Sequence, residues 1–271
     1  MKKQLDKTEL YHCTNYDSLC KILLSQQFNP SFCLEEMSVY SSNSQRMAFA
    51  VVCFADLLEE EIPHHMKSFN SDSYVVMKKE WAKTHSVSPV VYYVNPSLAS
   101  NLIKNIIDYS IITRNNDDVD TLKFFNSVNL LIGYLKQYRG RYLLKDKTTW
   151  SEETQFYLER EWRYFPMPQN FEANYLDEER YYDDALRKAK QQELIDHGYA
   201  LKFGWDDIER IGVPYSKKKQ FESTTLITLK EKYNEDVLDK VVFINDGRIE
   251  FMRKMWLVLV RSIRSLFQKQ R

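Results

Sequence analysis

The chain has 271 residues, and its 38 basic and 38 acidic residues give a net charge of zero. That length is enough for one large domain with a real core, and the balanced charge provides no overall field that would attract nucleic acid, membranes or acidic substrates. The six glycines form no GxGxxG, GxxxxGKS/T or GxSxG motif, which excludes the Rossmann fingerprint, the P-loop and the nucleophile elbow as motif-based sites.

The first third of the chain predicts strands that alternate with short helices. A strand at 10–14 precedes a helix that Asn15 or Asp17 can cap. The apolar run at 47–54 has the composition of a strand buried at the centre of a sheet. Two more strands, at 73–77 and 89–94, flank a short helix with the sequence KKEWAKTH.

Helical periodicity dominates residues 96–145, where Leu98, Leu102 and Ile106 begin the pattern. The polar break RNNDD at 114–118 predicts two helices, which we interpret as an insertion between strands. Further along, the patterns predict strands at 156–166, 199–203, 209–213 and 241–244, and helical segments at 183–197 and 216–233. Residues 249–271 combine a wide apolar stripe with basic residues, which predicts a C-terminal amphipathic helix.

These elements predict a single domain over residues 1–271, with a core at 8–95 and 150–245, a helical insertion at 96–145 and the C-terminal helix at 246–271. The four cysteines, at 13, 20, 33 and 53, include no CxxC pair and are expected to be reduced. The start, MKKQLDKTEL, lacks the apolar core of a secretion signal. The longest apolar run, MWLVLV, is far shorter than the ~20 residues of a membrane-spanning helix. We therefore expect a cytoplasmic protein.

The segment FYLEREWRYFP at 156–166 places two carboxylates on one face of a predicted strand, because side chains alternate along a strand and Glu159, Glu161 and Arg163 then project together. Two like charges at that spacing repel each other, so the presence of both carboxylates requires an explanation. They can be structural, neutralised by Arg163 and a basic residue of a neighbouring strand, or form a solvent-facing ladder of Glu and Arg on an edge strand. They can also be chemical, with one carboxylate holding a substrate hydroxyl and the other positioning a nucleophile.

Histidines offer two further candidates. His12, on the first predicted strand, can donate a hydrogen bond to a ligand, although a lone strand histidine is more often structural. His64 and His65 are adjacent, so on a helix they point about 100° apart, and no third ligand has zinc-like spacing. We therefore expect no metal.

Several segments in chain order resemble the AbiGi family of abortive-infection, phage-resistance proteins. They are YHCTNYDSLCKIL, VVCFADL, HHMKSFNSDSYVVMKKEW, PVVYYV, EREWRYF and DDIERIGVP. The resemblance covers most of residues 8–245 and implies a role in phage defence beside a nucleotidyltransferase-like toxin. The chain departs from the family pattern at Asn70, Ser71 and Ser73, where glycine is expected, and in its basic, apolar C-terminal segment.

A more distant resemblance is to ADP-ribosyltransferase domains, including DarT-like toxins, because the chain has an opening YH-x-T strand, an apolar central strand and a late Glu-x-Glu strand. It implies NAD bound between two small sheets, with Glu161 as the catalytic carboxylate, Glu159 assisting the nucleophile and His12 near the ribose. Such a carboxylate would stabilise the positive charge that develops on the sugar. The other residues assigned to NAD are Thr14, Tyr40 or Tyr74 for stacking on the nicotinamide, and Arg46 or Arg163 for the pyrophosphate.

From these observations we expect an α+β protein with a split, mixed or antiparallel sheet like that of an ADP-ribosyltransferase, a helical insertion and a C-terminal helix. Three functions stay open within phage defence. The protein can be an NAD-dependent ADP-ribosyltransferase, a non-catalytic antitoxin or scaffold that binds a partner toxin encoded nearby, or a sensor of a nucleotide or phage protein. We also expect homo-oligomers to form through the C-terminal helix if its apolar stripe is exposed.

Overall fold

The computed structural model describes residues 8–36, 46–113, 118–143, 149–166, 174–233 and 237–244. The strands are β1 (Glu9–Thr14), β2 (Gln27–Phe28), β3 (Ser31–Glu36), β4 (Arg46–Leu57), β5 (Ser73–Met77), β6 (Val87–Pro89), β7 (Val91–Tyr93), β8 (Leu135–Gln137), β9 (Glu161–Tyr164), β10 (Tyr175–Asp177), β11 (Leu201–Lys202), β12 (Ile208–Pro214) and β13 (Val241–Ile244). The helices are α1 (Tyr16–Ser25), α2 (Ile62–Ser68), α3 (Lys79–Thr84), α4 (Leu98–Thr113), α5 (Val119–Tyr134), α6 (Glu178–Tyr182), α7 (Asp184–Asp196), α8 (Lys218–Gln220) and α9 (Leu226–Tyr233).

The chain divides into two compact units. The first unit comprises Met1–Gln27, Asp56–Trp81 and Phe203–Arg271, and the second comprises Phe28–Ala55 and Ala82–Lys202. The predicted C-terminal helix at 246–271 lies outside the described residues, so its oligomeric role stays a prediction.

A mixed sheet in the order β13-β12-β5-β1 forms the centre of the first unit. β5 pairs antiparallel with both β1 and β12, whereas β12 and β13 run parallel. Helix α1 begins at the predicted cap, because the Asn15 side chain accepts a hydrogen bond from the Ser18 amide at 2.8 Å. Leu19 and Leu23 of that helix are fully buried. The structure confirms the predicted strands at 10–14 and 73–77. It also confirms the helix that follows the first of these strands and the cap of that helix.

The second unit is built on β4, whose residues up to Ala55 belong to it. Its first half pairs antiparallel with β3 and β10, and its second half pairs antiparallel with β9, which in turn pairs with β6. β7 and β8 form a separate parallel pair. The strand predicted at 47–54 is therefore confirmed as a central one, with partners along its whole length.

The two helices predicted on either side of the polar break are α4 and α5. α5 is capped by Asp118, whose side chain accepts a hydrogen bond from the Thr121 amide at 3.1 Å. The two helices contact each other, and Tyr109 meets Phe124 edge to face with ring centroids 6.0 Å apart. Their buried residues join those of β4 in one core cluster, which contains Phe49, Val51, Ile107, Val128, Ile132 and Phe165.

Three strand predictions were wrong in extent, and the one at 199–203 is only the two-residue strand β11. The predicted strand at 89–94 is two short strands, β6 and β7, on either side of Val90. In the segment 156–166 only β9 is extended. Phe156–Glu159 form a 3-10 turn that ends at Arg160, which has a left-handed backbone with φ 41°. The fold is thus a mixed α/β architecture with parallel and antiparallel pairs, and its likeness to an ADP-ribosyltransferase stays a prediction.

Candidate functional site

Five charged side chains of the second unit converge in its interior, and we call them the charge cluster. They are Glu35 on β3, Lys136 on β8, Glu159 at the end of the 3-10 turn, and Glu161 and Arg163 on β9. The sequence singled out the last three but not Glu35 or Lys136. The structural interpretation expected a neutralising basic residue on a neighbouring strand; the cluster supplies Lys136, but from β8, which pairs with β7 and not with β9.

Glu161 is bound by cations at both of its carboxylate oxygens. Arg163 Nε donates to Oε1 at 2.6 Å, and Arg163 Nη2 donates to Oε2 at 3.1 Å. Lys136 Nζ donates to the same Oε2 at 2.5 Å. The residue is only 5% exposed, and β9 lies between β4 and β6. The alternative of a solvent-facing ladder on an edge strand was therefore wrong.

Arg163 is 1% exposed, and its guanidinium has a partner on every nitrogen. Besides its bonds to Glu161, Nη1 donates to the Gly133 carbonyl oxygen at 2.8 Å and to Glu35 Oε2 at 3.3 Å. Nη2 also donates to Glu35 Oε1. This fork geometry matches the planar donors of arginine and fixes β9 to β3 and to the end of α5.

Lys136 joins the two carboxylates that the sequence placed together. Its Nζ lies 3.0 Å from Glu159 Oε2 as well as 2.5 Å from Glu161 Oε2, and 4.6 Å from the centre of the Phe156 ring. The left-handed backbone at Arg160 lets the chain turn between Glu159 and Glu161. Both carboxylates therefore approach one ammonium group from two different backbone segments.

The cluster contains three carboxylates and two cations. Burial favours the neutral form of Glu161, but Arg163 and Lys136 outweigh it and hold its pKa below the ordinary 4.5. Burial dominates at Glu159 and raises its pKa despite Lys136. Burial would lower the pKa of Lys136, yet Glu159 and Glu161 hold it well above the ordinary value. The cluster thus compensates Glu159 less than it compensates Glu161.

The residues assigned to NAD divide between the units. His12, Thr14 and Tyr74 belong to the first, where His12 on β1 lies opposite Val75 on β5. Tyr74 is 7% exposed, and its ring packs edge to face on Tyr11 with centroids 5.3 Å apart. The catalytic candidates Glu159 and Glu161 belong to the second unit. Tyr40 lies outside the described residues.

Arg46, the other pyrophosphate candidate, is engaged within the second unit. Its Nη1 lies 2.6 Å from Glu178, its Nη2 lies 3.8 Å from Glu36, and its guanidinium covers the Trp150 ring at 4.5 Å. Arg163 and Tyr74 are buried, so neither presents a free polar edge or ring face to a ligand as placed. This arrangement does not favour a dinucleotide at these side chains, and NAD binding stays a prediction.

A half-open cleft of about 570 Å³ also lies in the second unit. The residues that line it are Glu36, Val94, Asn95, Gln137, Tyr138, Arg139, Gly140, Arg141 and Glu153. Arg141 Nη2 contacts Glu36 Oε1 at 3.0 Å across it. Glu36 and Gln137 directly follow Glu35 and Lys136 on their strands, so they project to the opposite side from the charge cluster.

Two classes of site are absent from the described part of the chain. Within those residues no group of three or more His, Cys, Asp or Glu side chains is arranged to hold a metal ion. No helix among them combines the length and the hydropathy that a membrane span needs.

Comparison with known proteins gives one match. Residues 26–214, well over half of the chain, match the family model described as "Putative abortive phage resistance protein AbiGi, antitoxin". The matched region contains the whole charge cluster, the cleft and helices α4 and α5. No curated protein and no solved structure matches the chain.

Proposed function

Because the chain belongs to the AbiGi family, we propose that it is the antitoxin of a phage-defence toxin–antitoxin pair and that it neutralises its partner by binding. The family description supports the role in phage resistance and the side of the pair. The observation that carries the non-catalytic part of the proposal is the double ion pairing of Glu161 inside the second unit.

An ADP-ribosyl transfer would need the Glu161 carboxylate to accept a hydrogen bond from a ribose hydroxyl as positive charge develops on the sugar. Here both oxygens accept from Lys136 and Arg163, and the side chain is 6% exposed. Releasing it would leave two buried cations with fewer partners, which costs on the order of 3 kcal/mol or more. The same geometry suits a residue whose role is to stabilise the fold.

A co-expression experiment tests the proposal. The protein encoded beside this chain is expressed alone, with the wild-type chain, and with the Glu161→Gln variant, and growth and co-purification are measured. We expect growth arrest from the neighbour alone, protection by the wild type, and protection by Glu161→Gln whenever circular dichroism shows that it folds. Failure of the wild type to protect or to bind the neighbour would refute the antitoxin role.

An assay with labelled NAD separates binding from chemistry. The purified wild-type chain, alone and with its bound neighbour, is incubated with NAD and a cell lysate, and released nicotinamide and labelled macromolecules are measured. We expect neither. Nicotinamide release that disappears in a folded Glu161→Gln variant would establish the NAD-dependent enzyme instead.

A nucleotide sensor is the second candidate, and the cleft is the feature that favours it. Arg139 and Arg141 line this cleft beside Gln137 and Tyr138, and guanidinium groups suit phosphate oxygens. Titration calorimetry with ATP, on the wild type and on Arg139→Ala, tests it. Binding that weakens in the variant would support a sensor, and no heat of binding would remove this candidate.

A further inference from the structure

Helix α4 carries a second face, apolar and largely exposed in the described part of the chain, although one of its rings, Tyr109, also meets Phe124 of α5. Five large side chains form it, and we call them the α4 stripe: Leu98 (76% exposed), Leu102 (55%), Ile106 (45%), Tyr109 (61%) and Ile112 (75%). Their spacing of three and four residues places them on one side of the helix. The buried residues Ser100, Ile107 and Ser110 occupy the other side. That side packs on its own unit through Ile107 and the partly buried Ile103, whereas the α4 stripe stays largely exposed.

The α4 stripe is uncharged. The polar residues interspersed with it are Asn101 and Asn105, both exposed. The nearest charges, Lys104 and Asp108, are paired with each other, with Nζ and Oδ2 2.5 Å apart. An uncharged face of this kind fits another uncharged apolar helix, because no buried charge would be left without a partner.

The order of residues along the stripe is nearly symmetric about Asn105. An antiparallel copy of α4 turned about an axis at that position would set Leu98 against Ile112, Leu102 against Tyr109, and Asn105 against itself. We propose that α4 pairs with α4 of a second copy of this chain in this way, as an isologous two-fold contact. Facing Asn105 amides can donate to and accept from each other, which would fix the register.

The size of the stripe agrees with such a contact. At 45% to 76% exposure, each of its five side chains offers on the order of 100 Å² of surface, so two copies would bury roughly 1,000 Å². That is about the least area that specific interfaces bury. The stripe of one copy, roughly 500 Å², is as large as the largest apolar patch of a typical monomer, which is often functional.

A second copy fits this face better than the chain's own C-terminal segment. Residues 253–271 carry six basic side chains and no acidic one. The α4 stripe contains no carboxylate, and Asp108 is already paired with Lys104, so nothing on this face complements a basic segment. A two-fold pairing needs no complement, since each copy supplies the same uncharged face.

Charge substitutions test the proposal on the full-length chain. Ile106→Glu places like charges together near the axis, whereas Ile111→Glu is a matched control, because Ile111 is 55% exposed but lies off the stripe. By sedimentation equilibrium we expect a wild-type dimer, and a dissociation constant raised at least ~100-fold in Ile106→Glu but not in Ile111→Glu. Mixing Ile106→Glu with Ile106→Lys chains should restore dimers, because opposite charges then meet.

Each other outcome overturns the proposal. A wild-type chain that is monomeric at all concentrations removes it. A dimer that survives Ile106→Glu but is lost when 246–271 are deleted shows pairing through the C-terminal segment. A dimer that is lost in Ile106→Glu but not restored by mixing shows that the two stripes do not face each other. Toxin neutralisation is measured in a separate experiment, so loss of the dimer would refute the pairing proposal without refuting the antitoxin role.

Discussion

Replacing Arg163 by Met removes the guanidinium of the charge cluster while keeping much of the side-chain volume. The change deletes bonds of 2.6 Å and 3.1 Å to Glu161, one of 2.8 Å to the Gly133 carbonyl, and the contacts with Glu35. Arg163 is 1% exposed, so water cannot replace it without opening the unit. The cluster would then hold three carboxylates against Lys136 alone. We expect the free energy of unfolding to fall by about 3–5 kcal/mol.

Urea unfolding monitored by circular dichroism measures this loss, with Arg180→Met as the matched control. Arg180 is also ion-paired, with its Nε 2.7 Å from Asp177, but the two side chains are 41% and 54% exposed. An exposed pair contributes about 0.2–1 kcal/mol, so the control should lose no more than that. Arg163→Lys keeps the charge but not the fork, and it should fall between the two.

Coupling inside the cluster gives a second reading of the same experiment. Adding Glu161→Gln to Arg163→Met removes one of the uncompensated carboxylates, so the double variant should be more stable than the sum of the single losses predicts. The reasoning fails if Arg163→Met loses no more stability than Arg180→Met. It also fails if the two substitutions in the cluster are simply additive.

Three further predictions concern the same unit. The pKa of folded Glu161 lies below 4.5, so the ionised carboxylate stabilises the fold fully above pH 4.5, and this stabilisation is lost as the pH falls through the folded pKa. Between pH 7 and pH 3 the urea midpoint of Glu161→Gln should therefore change less than that of the wild type. Burial raises the pKa of Glu159, so the ionisation of its carboxyl group costs stability as the pH rises through the folded pKa. Glu159→Gln should therefore be more stable than the wild type at pH 8 but equal to it at pH 4. Gly133→Ala should lose about 1–3 kcal/mol in the same urea assay, because a Cβ there would overlap the Phe165 ring, whereas Ser127→Ala on the exposed side of α5 should be nearly neutral.

Local sequence signals were enough for the elements that are apolar throughout or carry their own caps. The strands β4 and β5 followed from apolar runs, and α1 and its cap from Asn15. β3 was not predicted, because Pro30 precedes it and it ends in Glu35 and Glu36. Its extended conformation depends on pairing with β4, which no local pattern reveals.

The charge cluster could be predicted only in part for a similar reason. Glu159, Glu161 and Arg163 are close in sequence. The repulsion between the two carboxylates already indicated that a further cation lies nearby. The role of Lys136 was not predicted, because apolar residues continue at helical spacing from Leu131 through 135 to 138, so the sequence places the lysine on a helix. In the structure α5 ends at Tyr134, and β8 begins at once by pairing with β7. The lysine thereby moves from a helical pattern to a strand that faces the carboxylates.

The cluster and the α4 stripe are linked through α5. Arg163 binds the carbonyl of Gly133 in the last turn of α5, and α4 packs on α5. Apolar side chains could fill the same space at equal or lower energetic cost, but they have no directional bonds with which to fix one position of the helix end on β9. We infer that the buried charges are retained for this specificity. The carboxylates of 156–166 then help to orient α5 and α4, and through them the face that we propose for pairing.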